Sequence, residues 1–555
     1  MATHSVTNQA PAREDLDEYS LDLPLVEGVR RHGAAWAEPE LIATGTLVGS
    51  AGFQHDAELA DVHEPELVAF DRWGHRIDEV EYHPSYHRVI GAAVAAGAHT
   101  AAWADPVPGA QVARAAQFLL FAQVEPGHAC PVSMTHAVVP ALQQFGSAGL
   151  QEEWIPRLLS RDYSPALAPG KTSALFGMAM TEKQGGSDVR ANRTSAVPAG
   201  DGSWILTGHK WFCSAPMSDG FLVLAQAPAG LSCFLVPRVL PDGARNPFLI
   251  QRLKDKLGNR ANASSEVEFD GTVGRLVGEE GRGVRTIIEM VNQTRLDCML
   301  GTAAGMRQAT AEAVWHAQHR AAFGALLVDQ PAMTQVLADL AVETEAAITA
   351  SLRVAAAYEA DAPAADEPFR RLATAVLKYW ICKRGPGHAY EALECLGGNG
   401  YTEAFPLARR YREQPVMAVW EGSGNVIALD VLRAIAREPE TADALFAEVR
   451  LAEGADARLD AHVADTERLL REAQRDPASA EAQAGARRLT EALAVALQGS
   501  LLVRHAPNGV ADAFASSRLG GSRGFLYGTA PAAAARAIVA RVPPGSRAEP
   551  LRAPR

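Results

Sequence analysis

Apolar residues recur every three or four positions over most of the first 170, most plainly in VARAAQFLLFAQVE (112–125). That spacing predicts amphipathic helices, punctuated by Pro131, Pro140 and Pro156. The first 24 residues are polar, lack this period and read as an arm. Near 174 the texture changes. SALFGMAM, RTSAVP, SWILTG, HKWFCSA, GFLVLAQA, LSCFLVP and SSEVEFD are short β-rich runs spaced by Gly, Asp and Pro, with AGDG (199–202) as a hairpin signal. Residues 174–277 therefore predict a compact β-domain. Helical spacing returns at 283, and four long helices fit it: 283–322, 330–360, 368–397 and 422–436. They read as a bundle, with LGGNGYTEAFP as the loop before the last. A further helical segment runs from 437 to about 505.

The chain thus divides into an arm (1–24), an N-terminal helical domain (25–173), a β-domain (174–277), a helical bundle (278–436) and a C-terminal helical domain with a basic tail (437–555). At 555 residues it exceeds what one core holds, about 250–300 residues. A net charge of −13 gives no overall attraction to nucleic acid or anionic membrane. The exception is local: eight arginines stand against Asp512 and Glu549 in 501–555. Six cysteines without a C-x-x-C pair point to reduced thiols in a cytoplasmic protein, with no zinc site and no other metal. The N-terminus has no apolar signal core. The apolar stretches are Ala-rich and broken, so they predict buried helix and no membrane span.

The stretch VWEGSGN raises the chemical question, because it places a carboxylate, Glu421, between Trp420 and the run Gly422-Ser423-Gly424. Such a carboxylate serves as a base, as an ion-pair partner or as a cap for the helix beginning near Ser423. A base working in an apolar pocket has its pKa raised by desolvation, which suits removal of a proton from carbon.

Three motifs narrow the choice. MAMTEKQGGSDV (178–189) resembles the T-E-x-x-x-G-S-D segment of the acyl-CoA dehydrogenase superfamily, and LGGNGYTEAFPLARRYRE (396–413) its G-G-x-G-Y…P…R-x-x-R-D segment. WEGSGN then resembles the E-G-T segment that carries that family's base. The runs TEKQGGSDV, RLKDKLGNR and CKRG place the likeness in the AidB-like, alkylation-response branch, well over roughly 25–436 and weakly beyond.

The resemblance implies an acyl-CoA dehydrogenase-like fold: an N-terminal all-α domain, a central β-barrel, a four-helix bundle and an extra C-terminal helical domain. It implies FAD as cofactor, an acyl-CoA thioester as substrate and Glu421 as catalytic base. Met180 and Thr181 would meet the flavin's pyrimidine edge, and Gly186 and Ser187 the pyrophosphate. Phe212 would stack on the ring, with Cys213 and Ser214 beside N5; the alternative for Phe212 is ordinary β-domain core. Arg320, Phe323 and Gln330 would reach a neighbouring subunit's FAD, with Gly397, Gly398 and Gly400 along its adenosine diphosphate. Trp420, Gly422, Ser423 and Asn425 would close the site around Glu421. That arrangement implies a homotetramer, a dimer of dimers. Some members carry the base on the helix holding NQTRLDC, but the matching residue here is Thr294, which cannot serve; Arg295 beside it is either a substrate contact or a structural ion-pair residue. Motif position 413 is Glu where the family has Asp. The branch is associated with DNA binding through its C-terminal domain and with weak dehydrogenase activity. Arg437, Arg518 and Arg523 are the candidate contacts to duplex DNA phosphates. The alternative is a disordered tail.

Overall fold

The computed structural model describes residues 3–520, 524–529 and 532–543. Its chain forms two compact units, residues 1–51, 111–124 and 298–555 in one, residues 52–110 and 125–297 in the other.

After helix Ala51–Val62 the second unit contains a feature the helical pattern hides. Strands β1 (Glu66–Phe70) and β2 (Arg76–Glu81) pair antiparallel. The Asp71 carboxylate shapes the turn by accepting the N–H groups of Trp73 and His75. This hairpin interrupts the mostly helical segment expected over 25–170 and corrects its all-α reading at this point; the alternation in RIDEVE is the available signal.

The predicted β-domain forms from β3 (Phe176–Ala179), β4 (Ser195–Pro198), β5 (Trp204–Ser214), β6 (Gly220–Ala227), β7 (Gly230–Pro237), β8 (Leu249–Leu253) and β9 (Ser264–Val277). One edge of β6 carries β3 and β4, the other β7; β9 carries β5 on one edge and β7 and β8 on the other. The ring β7-β6-β4-β5-β9-β7 therefore closes into a barrel, which leaves few free edges. Strand periodicity sorts the side chains. Phe221, Val223, Phe234 and Val236 join Phe248 and Phe269 in one core. Their alternates Leu222, Leu224, Cys233 and Leu235 pack with Val138, Leu142, Trp154 and Phe176 in a second core that includes helix Ala129–Phe145. Both faces of β6 and β7 are buried, which is why these runs read as continuously apolar.

In the first unit the helices are Pro331–Ala356, Asp366–Cys395 and Gly424–Arg437, with the C-terminal part of Gly283–His319. Three of the four predicted helices end early, at 319, 356 and 395, while the last ends one residue beyond its predicted limit, at Arg437. A helix the pattern missed, Pro406–Met417, follows the 3-10 turn Gly397–Tyr401 inside the expected loop region; Pro406 at its first position is the start signal. Asp366–Cys395 is the central helix. It packs on Pro331–Ala356, Pro406–Met417, Gly424–Arg437, Glu440–Val449 and Ala480–His505, so the C-terminal helices share one core with the bundle.

The N-terminal arm is a correction. Leu16, Tyr19 and Asp22 are buried. The Arg13 guanidinium pairs with Glu18, whose carboxylate also accepts from Gln308 at 3.0 Å, and Trp315 Nε1 donates to the Pro11 carbonyl at 2.8 Å. Local polarity misled because the arm's charges pair with one another and with Arg307, far along the chain.

Candidate active site

In the first unit, helix Gly424–Arg437 starts with Ser423 at the N-cap position, so Glu421 lies outside it and two residues ahead of the cap. Glu421 has φ +56° and Gly422 φ +108°. For a carboxylate residue the first is a left-handed conformation that costs free energy and persists only where surroundings over-determine it. Those surroundings are visible. Lys378, on Asp366–Cys395 and 1% exposed, donates Nζ to the Trp420 carbonyl at 2.7 Å and to the Gly422 carbonyl at 2.8 Å. The two carbonyls flanking Glu421 are thus pinned by one cation. Trp420 packs on Cys298, Cys382 and Met417. Asn425 is committed: its Oδ1 accepts from Arg487 Nε at 2.7 Å.

In the second unit, the loop after β3 is fastened by a different lysine. Lys210 Nζ, fully buried, lies 2.8 Å from the Glu182 carboxylate and donates to the Leu224 carbonyl at 2.7 Å. Burial alone would raise the Glu182 pKa; Lys210 and the Arg193 N–H reverse that and hold it down to about 2. Trp211 N–H donates to the Thr181 carbonyl at 2.8 Å, tying this loop to β5. The β5–β9 register shifts between Lys210 and Cys213, a bulge that turns Trp211 and Phe212 out of the ladder. Phe212 is 51% exposed, which rules out the core reading. Cys213 points inward, buried, and Ser214 Oγ lies 3.5 Å from Ser264 Oγ. Gly186 approaches Thr181 so closely that a Cβ would sit 3.0 Å from its side chain, while Ser187 is exposed. An exposed aromatic face tied to a small-residue loop fits a planar ring with a phosphate arm. On Gly283–His319, Thr294 donates its hydroxyl to the Val291 carbonyl at 3.1 Å, and Arg295 is buried.

The first unit also carries the elements expected to meet a second copy. Ala321–Ala322 and Ala325–Leu326 form a two-residue hairpin whose turn residues, Phe323 and Gly324, have φ +52° and +82°. Phe323 is fully exposed at its tip. Gln330 braces the hairpin through the Ala322 carbonyl at 3.0 Å, and Arg320 donates to the Asn8 carbonyl. Gly397 and Gly398 are exposed, and a Cβ at either meets nothing within 4 Å; at Gly400 it would lie 2.0 Å from the Leu393 carbonyl, so packing alone demands that glycine.

The candidate DNA contacts separate sharply. Arg518 is buried and spent, at 2.6 Å from Asp339 and 2.8 Å from Glu343; it is withdrawn as a phosphate contact. Arg541 pairs with Glu345 and Glu27, and Arg504 with Glu448, so part of the basic tail is neutralised internally. Arg437 is exposed, and Arg523 lies outside the described residues. Sequence reasoning missed Lys378, Glu182 and Lys210, because isolated lysines and carboxylates carry no period; TEK and HKW held the latter two within motifs quoted for other residues.

This helical–barrel–helical order is the acyl-CoA dehydrogenase fold. Three family models match: the adaptive response protein AidB N-terminal domain over residues 8–165, the acyl-CoA dehydrogenase middle domain over 177–272 and the acyl-CoA dehydrogenase C-terminal domain over 281–436. The chain is 47% identical to AidB of Escherichia coli (strain K12) over 454 residues, 81% of this chain and 84% of that protein. It is 32% identical to acyl-CoA dehydrogenase family member 11 of Caenorhabditis elegans over 68% of this chain and 64% of that one. The crystal structure of Caenorhabditis elegans ACDH-11 in complex with C11-CoA superposes with a TM-score of 0.83 at 26% identity, covering 98% of this chain and 93% of that one. The chain therefore belongs to the acyl-CoA dehydrogenase family, in its AidB-like branch. The family's members are FAD-dependent oxidoreductases acting on CH–CH groups.

Proposed function

We propose that this chain is an FAD-dependent acyl-CoA dehydrogenase in which Glu421 removes the α-proton of an acyl thioester. The observation that carries this reading is the turn itself: a carboxylate residue held at φ +56° while Lys378 fastens the carbonyls on both sides. Strain at such a position is kept where it serves a function. FAD, when bound, supplies the hydride acceptor for the β-hydrogen. Glu421 contributes the proton acceptor, and its backbone N–H would polarise the thioester carbonyl. Phe212 offers a ring face to the isoalloxazine. Thr181, Met180 and Ser214 would hold its edge, and Gly186 and Ser187 would meet the pyrophosphate. Arg295 is the candidate substrate contact.

A homotetramer completes the reading, since the strained and fully exposed Phe323, with Arg320, Gln330, Gly397 and Gly398, suits contact with FAD bound to a second copy. Light scattering checks the mass. The test of chemistry is an anaerobic titration of the flavin-loaded protein with short branched and C11 acyl-CoA thioesters, following the visible flavin band. Bleaching by one of them names the substrate class. Glu421→Gln should keep the flavin and slow bleaching by about 10²–10⁴-fold; rapid bleaching by that variant would remove Glu421 as the base.

The second reading is a DNA-associated protein of the alkylation response with weak dehydrogenase activity. It rests on the AidB-like resemblance and on Arg437, the one exposed candidate among the described residues. Salt-dependent retardation of duplex DNA, weakened by Arg437→Ala, would support it.

A further inference from the structure

A cavity of about 370 Å3 in the second unit lies between β2, helix Pro84–Ala95, the 163–166 loop and the turn joining β5 to β6. None of the residues assigned above to flavin, base or substrate lines it. Its volume falls at the low end of small-molecule sites.

Three features of the wall specify a chemistry. The first is aromatic. Tyr82 and Tyr86 stack with centroids 4.4 Å apart, His87 meets both edge-on at 5.8 and 5.9 Å, and His87 Nδ1 is 2.8 Å from the Tyr163 hydroxyl. The second is charge. Glu79, Glu81 and Asp219 line the cavity, and among the described residues no lysine or arginine does. Asp219 and Glu79 have ion-pair partners, Lys171 and Arg245, that lie outside the lining; Glu81 is exposed at the rim. Burial holds the His87 imidazole below its usual range and therefore neutral. The third is an orphan. Ser218, 2% exposed, lines the cavity, and its hydroxyl has no hydrogen-bond partner among the described residues. A buried hydroxyl without a partner costs about 1–3 kcal/mol, which a ligand group would recover.

We propose that this cavity binds a small organic cation, a protonated primary or secondary amine on a short apolar body. The ammonium N–H groups would bond the Ser218 hydroxyl, with the carboxylates supplying the field and the tyrosine faces a cation–π contact. The exposed Glu81 at the rim disfavours a carboxylate or phosphate there.

The test is ligand-observed NMR and calorimetry on the flavin-loaded full chain at pH 7.5, with 2-phenylethylamine as probe and 2-phenylethanol as its neutral counterpart. The amine should bind at least tenfold more tightly than the alcohol, Ser218→Ala and Glu81→Gln should each weaken it severalfold, and Ile90→Trp, which fills the cavity, should abolish binding. Ala166→Trp, at an exposed lining position, serves should Ile90→Trp fail to fold. Equal binding of the alcohol overturns the cation assignment. Binding that survives the filled cavity, or no amine binding by the wild type, overturns the site.

Discussion

Each unit contains a fully buried lysine beside its own candidate residues, and the two are used in opposite ways. Lys210 in the barrel meets a carboxylate, Glu182, so its charge is neutralised where it sits. Lys378 in the bundle donates to two carbonyls, Trp420 and Gly422, that bracket Glu421. The first arrangement fixes a loop by closing an ion pair. The second fixes a backbone conformation by aiming a cation at peptide dipoles. A buried ion pair is destabilising when halved, whereas a lysine on carbonyls mainly sets geometry. One unit therefore spends its lysine on stability and the other on the aim of a side chain.

Removing each lysine separates the two roles. Lys210→Met leaves Glu182 as an uncompensated buried charge and should cost about 3–5 kcal/mol in thermal or denaturant unfolding. Adding Glu182→Gln should restore much of that loss; if it does not, the ion pair is not what holds the loop. Arg518→Ala extends the same logic to the C-terminal segment, and should cost about 2–4 kcal/mol, because Glu343 keeps Arg384 at 3.0 Å while Asp339 loses its cation. Lys378→Met should cost only about 1–3 kcal/mol. Its larger signature is kinetic: kcat falls with flavin content and KM for the thioester little changed. A variant that loses flavin instead would show that Lys378 is structural.

The same ion pair also governs acid stability. The Glu182 carboxylate has a folded pKa near 2 against an ordinary value of 4.5. A depressed carboxylate pKa adds stability that is fully present above 4.5 and is lost as pH falls through about 2. The Lys210→Met/Glu182→Gln pair should therefore lose less stability than wild type between pH 4.5 and 2, read as midpoint shifts.

The same contrast explains what the sequence made legible. The barrel was readable because period-two alternation and turn residues are local signals. The site motifs were readable because Glu421 stands beside glycines that a left-handed turn needs. The lysines were not, because Lys378 acts 42 residues away in sequence and Lys210 28. Arg518 misled for a related reason: composition counts its charge, while Asp339 and Glu343, 179 and 175 residues distant, cancel it. The arm failed likewise, since polar residues look solvated until their partners are found.

The arm carries a consequence for how the protein is made. Glu18 waits for Gln308, 290 residues later in the chain. At about 5–20 residues per second, a ribosome needs on the order of 15–60 s to deliver that partner. During that interval the charged residues of the arm have no interior to enter, and the second unit, whose chain is complete by residue 297, can fold first. The arm is thus synthesised long before the partner it pairs with, and it is among the last segments of this chain to find its place.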